Sequence, residues 1–235
     1  MRGSYGIARV GRSDYHRSLM SLLFDPDDAV HALRSSDRVL ARLIERVGPC
    51  RFTTYKRASP FEALAQSITY QQLNGKAAGT IFGRFRAIYR PKRFPTPNLL
   101  LETPDATLRA AGLSRAKIAA MKDLAAKTAD GTVPTLTLLR GMSDEEILER
   151  LTSVRGIGPW TVEMLLMFRL GRPDILPVTD YGVRKGYSLA YRKRELPSPD
   201  DLRKRGERWR PYRSVAAWYL WRALELESGP TGGRG

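Results

Sequence analysis

The sequence contains few of the residues that metal sites and hydrolytic triads use. Among 235 residues there are one cysteine, Cys50, and two histidines, His16 and His31. One cysteine excludes an internal disulfide framework and any zinc or iron–sulfur site that needs several thiolates. Two histidines leave little material for a histidine-based metal site or a Ser–His–Asp triad. We therefore expect chemistry that needs no cofactor.

Long hydrophobic runs are missing as well. A membrane-spanning helix needs about 20 consecutive apolar residues, and no stretch approaches that length. The N-terminal segment, residues 1–20, is basic and lacks the apolar region of a secretory signal peptide. We expect a cytoplasmic protein, associated with the nucleoid, with no membrane partner.

Acidic residues are outnumbered by basic ones. The chain has 40 Lys and Arg against 24 Asp and Glu, a formal net charge of +16. The excess is uneven, since residues 184–222 hold 12 basic and 4 acidic residues. A basic surface can serve solubility alone, but a charge of this size favours polyanions, above all nucleic acid. The charge predicts a partner and names no reaction.

Apolar residues recur with the spacing of an amphipathic helix through most of the chain. Residues 40–47 and 61–68 carry them at i, i+3, i+4 and i+7, and sustained alternation of period two is absent. Ser143 and Glu146 form a capping-box pattern, and Ser198 precedes a proline and two acids. These signals predict an all-α fold, built as one sizeable domain or as two small lobes.

The segment 148–161, LERLTSVRGIGPWT, predicts a helix, a tight turn and a second helix. Gly156 and Gly158 permit positive φ and close approach of another backbone, and Pro159 is suited to begin the second helix. A turn of this kind directs unpaired amides at one point beside a helix N-terminus, where an anion such as a DNA phosphate binds. A plain corner between two helices is the alternative for an isolated G-x-G.

Asp180 lies in the segment 176–185, LPVTDYGVRK, directly before a predicted helix. Its local sequence favours a helix N-cap, a common position for aspartate. That role is compatible with a functional one, because a cap holds the carboxylate in one orientation.

The order of these segments resembles the helix-hairpin-helix DNA glycosylase superfamily, and more narrowly its 3-methyladenine DNA glycosylase II family. The matching stretches lie in the expected order over roughly residues 30–225. They are SPFEAL through QQLNGKAA at 59–78, AGLS with Lys117 at 111–117, the hairpin, the Asp180 segment, and WRPYRS with Trp221 at 209–221.

The resemblance implies a two-lobed helical fold spanning residues 21–227, with the hairpin motif at about 147–170. Residues 1–20 and 228–235 are then expected to be flexible flanks. The matching form is the short one, without the N-terminal mixed α/β domain that some bacterial members carry.

Site residues follow from the same resemblance, position by position. Asp180 matches the catalytic aspartate, and Gln72, or Leu73 if the loop register differs by one, matches the wedge that fills the gap left by an extruded nucleotide. The remaining matches are Trp160, Met164, Tyr181 and Trp221 for the base pocket; Gly156, Gly158 and Trp160 for DNA phosphate; and Thr152, Val154 and Ile157 for a monovalent cation held by main-chain carbonyls.

Two positions depart from the pattern of the family. Thr179 stands where many relatives have an acid before Asp180, and Met164 replaces an aromatic found in some members. The aromatic residues could also be ordinary core residues. These departures concern substrate range more than the class of reaction.

The implied activity is hydrolysis of the N-glycosidic bond of alkylated purines, of the 3-methyladenine and 7-methylguanine class, in damaged double-stranded DNA. Trp160 stands where strand-cutting relatives have a lysine, so we expect base excision repair without lyase activity, by a monomer. One alternative is a glycosylase for another lesion, and a second is a non-catalytic DNA-binding protein that uses the hairpin as a clamp. An RNA-binding module is disfavoured, because no aromatic β-sheet platform is present.

Overall fold

A computed structural model describes residues 22–54 and 58–227. Both segments expected to be flexible, 1–20 and 228–235, lie outside these residues. Every regular element within the described ranges is helical, which confirms the all-α prediction. The described helices are α1 (Pro26–Ser36), α2 (Arg38–Val47), α3 (Pro60–Tyr70), α4 (Gly75–Ala87), α5 (Pro97–Glu102), α6 (Asp105–Ala110), α7 (Arg115–Ala129), α8 (Leu136–Gly141), α9 (Asp144–Thr152), α10 (Pro159–Phe168), α11 (Tyr181–Ala190), α12 (Pro199–Gly206), a 3₁₀ turn (Glu207–Trp209) and α13 (Arg213–Glu227).

Side-chain caps mark where many of these short helices begin. The predicted capping box is present: the Ser143 amide donates to Glu146 Oε2 at 2.9 Å, and the Glu146 amide donates to Ser143 Oγ at 3.1 Å. Ser198 likewise caps α12 by accepting from the Asp201 amide at 3.1 Å. Because a helix of two or three turns leaves much of its backbone unsatisfied, such caps contribute a large share of its stability. None of the helices within the described ranges has both the length and the apolarity of a membrane span.

The chain divides into two compact units, in agreement with the two-lobed prediction. The described part of the first unit is residues 58–165. Its core joins one face of α3, with Leu64, Ala65 and Ile68 fully buried, to the buried face of α7. The apolar pattern at 61–68 is therefore the pattern of a core helix. An aromatic group packs beside it, comprising Phe61, Phe82, Phe85, Tyr89 and Phe94.

The second unit comprises residues 22–54 and 166–227 of the described chain. Its central element is α13, in which every residue from Ser214 to Leu220 is buried. A helix that is apolar all round is a core helix, and neighbouring helices of this unit cover it. The Tyr219 hydroxyl lies inside this core and donates to the carbonyl of Gly48 at 3.1 Å.

A buried carboxylate, Asp37, links several elements of the second unit. It lies between α1 and α2 with 2% of its surface exposed. Its oxygens accept five hydrogen bonds, from the amides of Val39 (3.0 Å) and Leu40 (3.3 Å), the Tyr191 hydroxyl (2.6 Å), Arg205 Nη2 (2.9 Å) and Trp209 Nε1 (3.1 Å). Burial by itself raises the pKa of a carboxyl, but here the donors and the guanidinium outweigh it and hold the Asp37 pKa below its usual value.

Candidate active site and DNA-contacting hairpin

The predicted hairpin joins α9 to α10, and Pro159 is the first residue of α10, as the sequence indicates. Gly156 has a φ of +78°, in the left-handed region that favours glycine. Gly158 does not have a positive φ, so only the first of the two glycines adopts the conformation that both permit. Its carbonyl accepts from the amides of Thr161 at 3.0 Å and Val162 at 3.3 Å, which places it at the start of α10.

Gly158 has an open surface where a side chain would stand. A Cβ added there would meet nothing within 4 Å among the described residues, so the packing of the protein does not explain the glycine. At Gly156, by contrast, a Cβ would lie 3.4 Å from the Cβ of Ala120. The open position at Gly158 suits close approach by an external group.

Two hairpin amides are available for an anion. Within the described residues, the N–H groups of Gly156 and Gly158 have no hydrogen-bond partner. The amides beside them are occupied: that of Ile157 donates to the Val154 carbonyl at 3.0 Å, and that of Arg155 donates to Asp123 Oδ2 at 2.7 Å. Trp160, the third predicted phosphate contact, is half-buried in the first turn of α10. Unpaired amides beside a helix N-terminus form an anion seat.

The predicted cation site on the carbonyls of Thr152, Val154 and Ile157 stays a prediction. The Val154 carbonyl already accepts the Ile157 amide. The ammonium of Lys127 donates to the Ser153 carbonyl in the same turn, so a positive charge already stands at this end of α9. This ammonium would repel a cation bound at the neighbouring carbonyls.

The predicted wedge residues lie in the turn between α3 and α4. Gln72 has a φ of +57°, which is uncommon for a residue other than glycine, and its side chain is exposed. Leu73 is 40% exposed, a high value for a leucine. Both side chains are accessible from outside, as insertion into DNA requires, and the choice between them stays a prediction.

Asp180 caps α11, so the N-cap expected from its local sequence is confirmed. Its Oδ1 accepts from the Val183 amide at 2.7 Å and from the indole Nε1 of Trp221 at 2.8 Å. The residue is 3% exposed. Two donors on the same oxygen hold the carboxylate in one orientation. The structure thus places together two predicted site residues, Asp180 and Trp221.

A stripe of two glycines on α11 allows that contact. A Cβ at Gly186 would lie 1.9 Å from the main-chain oxygen of Leu220, and one at Gly182 would lie 2.8 Å from Cδ1 of the Trp221 indole. These positions are one helical turn apart and therefore share a face of α11. Their lack of side chains lets α13 approach closely enough for Trp221 to reach Asp180. The sequence shows the i, i+4 spacing of the two glycines, but it does not show that another helix packs against them.

Two aromatic residues that sequence reasoning missed support Trp221 in the second unit. The Phe168 ring lies 5.9 Å from the Trp221 ring, at an interplanar angle of 32°. Phe52 stacks on Phe168 at 5.3 Å and 19°, and is fully buried. The column anchors the indole whose N–H holds Asp180.

The other predicted pocket residues are divided between the two units. Tyr181 follows Asp180, but its side chain is 65% exposed. Trp160 and Met164 belong to the first unit, where both are half-buried and lie one turn apart on α10. Their role in binding a base stays a prediction.

The excess of basic residues at 184–222 attracts a polyanion less strongly than the count of charges suggests. Arg210 and Arg213 both pair with Asp174, at 2.6 Å and 2.7 Å, and Arg205 pairs with Asp37. Arginines paired with carboxylates in this way add less to the field that attracts a polyanion. The count of basic residues in the sequence could not show which arginines form such pairs.

Comparison with known proteins agrees with this architecture. A profile of HhH-GPD superfamily base excision DNA repair proteins matches residues 65–211. DNA-3-methyladenine glycosylase 1 of Schizosaccharomyces pombe is 39% identical over 83% of this chain and 86% of its own. The putative DNA-3-methyladenine glycosylase of Bacillus subtilis is 34% identical over 71% of this chain and 60% of its own.

Two solved structures are similar over most of the fold. The 3-methyladenine DNA glycosylase of Schizosaccharomyces pombe, in complex with abasic DNA, superposes with a TM-score of 0.75 at 36% identity, covering 88% of this chain and all of that one. The DNA-3-methyladenine glycosidase of Bacillus halodurans superposes with a TM-score of 0.77 at 34% identity, covering 85% and 90%. The chain belongs to the HhH-GPD superfamily of base excision DNA repair proteins, and within it to the 3-methyladenine DNA glycosylases.

Proposed function

We propose that this protein is a monofunctional DNA glycosylase that hydrolyses the N-glycosidic bond of alkylated purines in double-stranded DNA. The observation that carries the proposal is Asp180, a buried carboxylate held by the Val183 amide and the Trp221 indole. The relatives named as 3-methyladenine glycosylases support the choice of substrate. The substrates are 3-methyladenine and 7-methylguanine, and the step is the first of base excision repair.

The chemistry of an alkylated purine suits this site. Methylation at a ring nitrogen makes the base cationic and a good leaving group, so departure needs no strong general acid. As the bond breaks, positive charge develops at C1′ of the sugar. A carboxylate fixed beforehand stabilises that charge without having to reorient, and it can align the attacking water. Asp180 supplies this group.

Binding of the duplex is assigned to the first unit. The free amides of Gly156 and Gly158 donate hydrogen bonds to a phosphate, which positions the enzyme without reading sequence. A base within a duplex hides its glycosidic bond, so the nucleotide has to be extruded at a cost of a few kcal/mol. Insertion of Gln72 or Leu73 into the gap offsets part of that cost.

Preference for a cationic base follows from an aromatic pocket. A methylated purine against the face of an indole gains cation–π attraction of about 0.5–2 kcal/mol, which a neutral base lacks. Trp221, supported by Phe168, is the aromatic that the structure places beside Asp180. A neutral oxidised base would need more hydrogen bonds than such a surface offers.

Release of free base from methylated duplex DNA tests the proposal. The purified protein is expected to liberate 3-methyladenine and 7-methylguanine, detected by chromatography of the soluble fraction. Parallel duplexes carrying 8-oxoguanine or a single mismatch are expected to remain intact. Absence of both methylated bases would contradict the proposal, and release from one of the parallel duplexes alone would reassign the lesion.

The absence of lyase activity is a separate prediction. Strand cutting needs an amine that forms a Schiff base with the sugar, and Trp160 stands where strand-cutting relatives have a lysine. Incubation with an abasic duplex is expected to give no cleavage above the protein-free blank, and borohydride is expected to trap no protein–DNA adduct. The variant Trp160→Lys provides the comparison, and cleavage of the abasic duplex by the wild type above the protein-free blank would refute the prediction.

A further inference from the structure

One face of α7 contacts two loops of the first unit: the hairpin between α9 and α10, and the turn between α3 and α4. At its N-terminal end, the ammonium of Lys117 donates to the carbonyls of Thr69 at 2.6 Å and Gln71 at 2.9 Å. These carbonyls belong to the last turn of α3 and to its cap, where the helix itself offers them no partner. Lys117 therefore secures the entry into the turn that carries Gln72 and Leu73.

Further toward its C-terminal end, the same face of α7 contacts the hairpin. Asp123 accepts the Arg155 amide at 2.7 Å. Ala120 lies beneath Gly156, with its Cβ 3.4 Å from where a glycine Cβ would be. Lys127 donates to the Ser153 carbonyl and pairs with Asp123 at 3.1 Å. The hairpin thus rests on a helix that also holds the turn after α3.

Gln71 joins the two loops directly. Its side-chain Nε2 donates to the carbonyl of Gly156 at 2.7 Å, across 85 residues of sequence. Its own carbonyl is the acceptor of the Lys117 contact. The residue is half-buried and immediately precedes Gln72, the residue in the left-handed conformation. A non-glycine residue at φ +57° is strained, and it persists where neighbouring contacts determine its conformation.

We propose that Gln71 is a positioning residue that fixes the Gln72–Leu73 turn to the phosphate-binding hairpin, so that phosphate binding and insertion of the wedge occur as one event. The inference rests on the proposed function. Without the bond from Gln71 to Gly156, the hairpin still binds phosphate, but the turn has to be ordered when the nucleotide leaves the stack. That ordering lowers the rate of extrusion and leaves the affinity for intact DNA unchanged.

Two substitutions remove the hydrogen bond from Gln71 to Gly156 while changing little else about the side chain. Gln71→Leu keeps the size and removes the donor, and Gln71→Asn keeps the amide but is one methylene too short to span the distance. Gln66, exposed on α3, provides the matched control as Gln66→Leu. None of these changes alters the net charge, so electrostatic attraction to DNA is the same in all four proteins.

Wedge insertion can be measured without catalysis, by stopped-flow fluorescence of 2-aminopurine placed beside a tetrahydrofuran abasic analogue. Both Gln71 variants are expected to slow insertion, and with it single-turnover base release, about tenfold, which is ~1.4 kcal/mol. Their Kd for undamaged duplex is expected to stay within about twofold of the wild type, because Gln71 contacts the carbonyl of Gly156 and not the amide that binds phosphate. Gln66→Leu is expected to match the wild type throughout.

Three results would overturn the inference. One is insertion at the wild-type rate in both Gln71 variants, and another is an equal slowing in Gln66→Leu. The third is a parallel loss of affinity for undamaged duplex, which would show that Gln71 maintains the hairpin itself. If wild-type protein inserts its wedge but releases no methylated base, the proposed function fails while the inference about Gln71 is still decided by the fluorescence.

Discussion

Asp180→Asn is expected to lower release of 3-methyladenine by roughly 10²–10³-fold, the scale on which removal of one preorganised electrostatic contact acts. Asparagine keeps an oxygen that accepts from the Val183 amide and the Trp221 indole, so the cap and the fold are retained. What is lost is the negative charge that stabilises the cationic sugar. Single-turnover release from methylated duplex measures the effect, and the Kd for DNA is expected to be unchanged.

A matched control exists in the same unit. Asp25 caps α1 by accepting the Asp27 amide at 2.8 Å, and it is exposed, so Asp25→Asn makes the same chemical change at another helix start. This variant is expected to release base at the wild-type rate. Equal release by Asp180→Asn and wild type would remove Asp180 from the mechanism. If wild type and Asp180→Asn both bind DNA and neither releases base, the alternative of a non-catalytic DNA-binding protein is favoured.

Asp37→Ala is expected to lower the free energy of unfolding by about 3–5 kcal/mol, the range for breaking a buried charged pair. The substitution leaves Arg205 without its carboxylate and leaves the buried Trp209 indole and the Tyr191 hydroxyl without their acceptor. Urea unfolding followed by circular dichroism measures the change. Asp28→Ala, an exposed acid in the first turn of α1, is expected to cost less than about 1 kcal/mol.

The pH dependence of stability follows from the same carboxylate. Because the pKa of Asp37 is lower in the folded state than in the unfolded chain, its contribution is present above the unfolded pKa and is lost as pH falls through the folded value. The difference in stability between wild type and Asp37→Ala should therefore become smaller at acid pH. A loss below about 1 kcal/mol at neutral pH, or a difference between the two that is as large in acid as at neutral pH, would contradict this account.

Several features of this protein could be predicted because their causes are local. The capping box at Ser143 needs two residues three positions apart, and the start of α10 at Pro159 needs one fixed φ. The freedom of Gly156 and Gly158 to adopt a left-handed φ is also a property of single residues. Which of them adopts it is decided by the folded turn, and only Gly156 does.

Residues whose role depends on a distant partner were missed. In the sequence, Gly182 and Gly186 are only weak helix formers; the structure shows that α13 packs on them. Asp37 reads as one more N-cap, and only the fold brings Tyr191, Arg205 and Trp209 to it.

The helical class, the hairpin, the basic charge and, through resemblance, the identity of Asp180 as the candidate catalyst could be predicted from the sequence. Spacing, propensity and charge act within a few residues, so a linear sequence shows them. The contacts that hold the Asp180 carboxylate and the Gln72–Leu73 turn are seen only in the folded protein. Both depend on hydrogen bonds between residues far apart in the chain: Trp221 with Asp180, and Gln71 with Gly156. Such bonds exist only once packed helices bring donor and acceptor within 3 Å of each other.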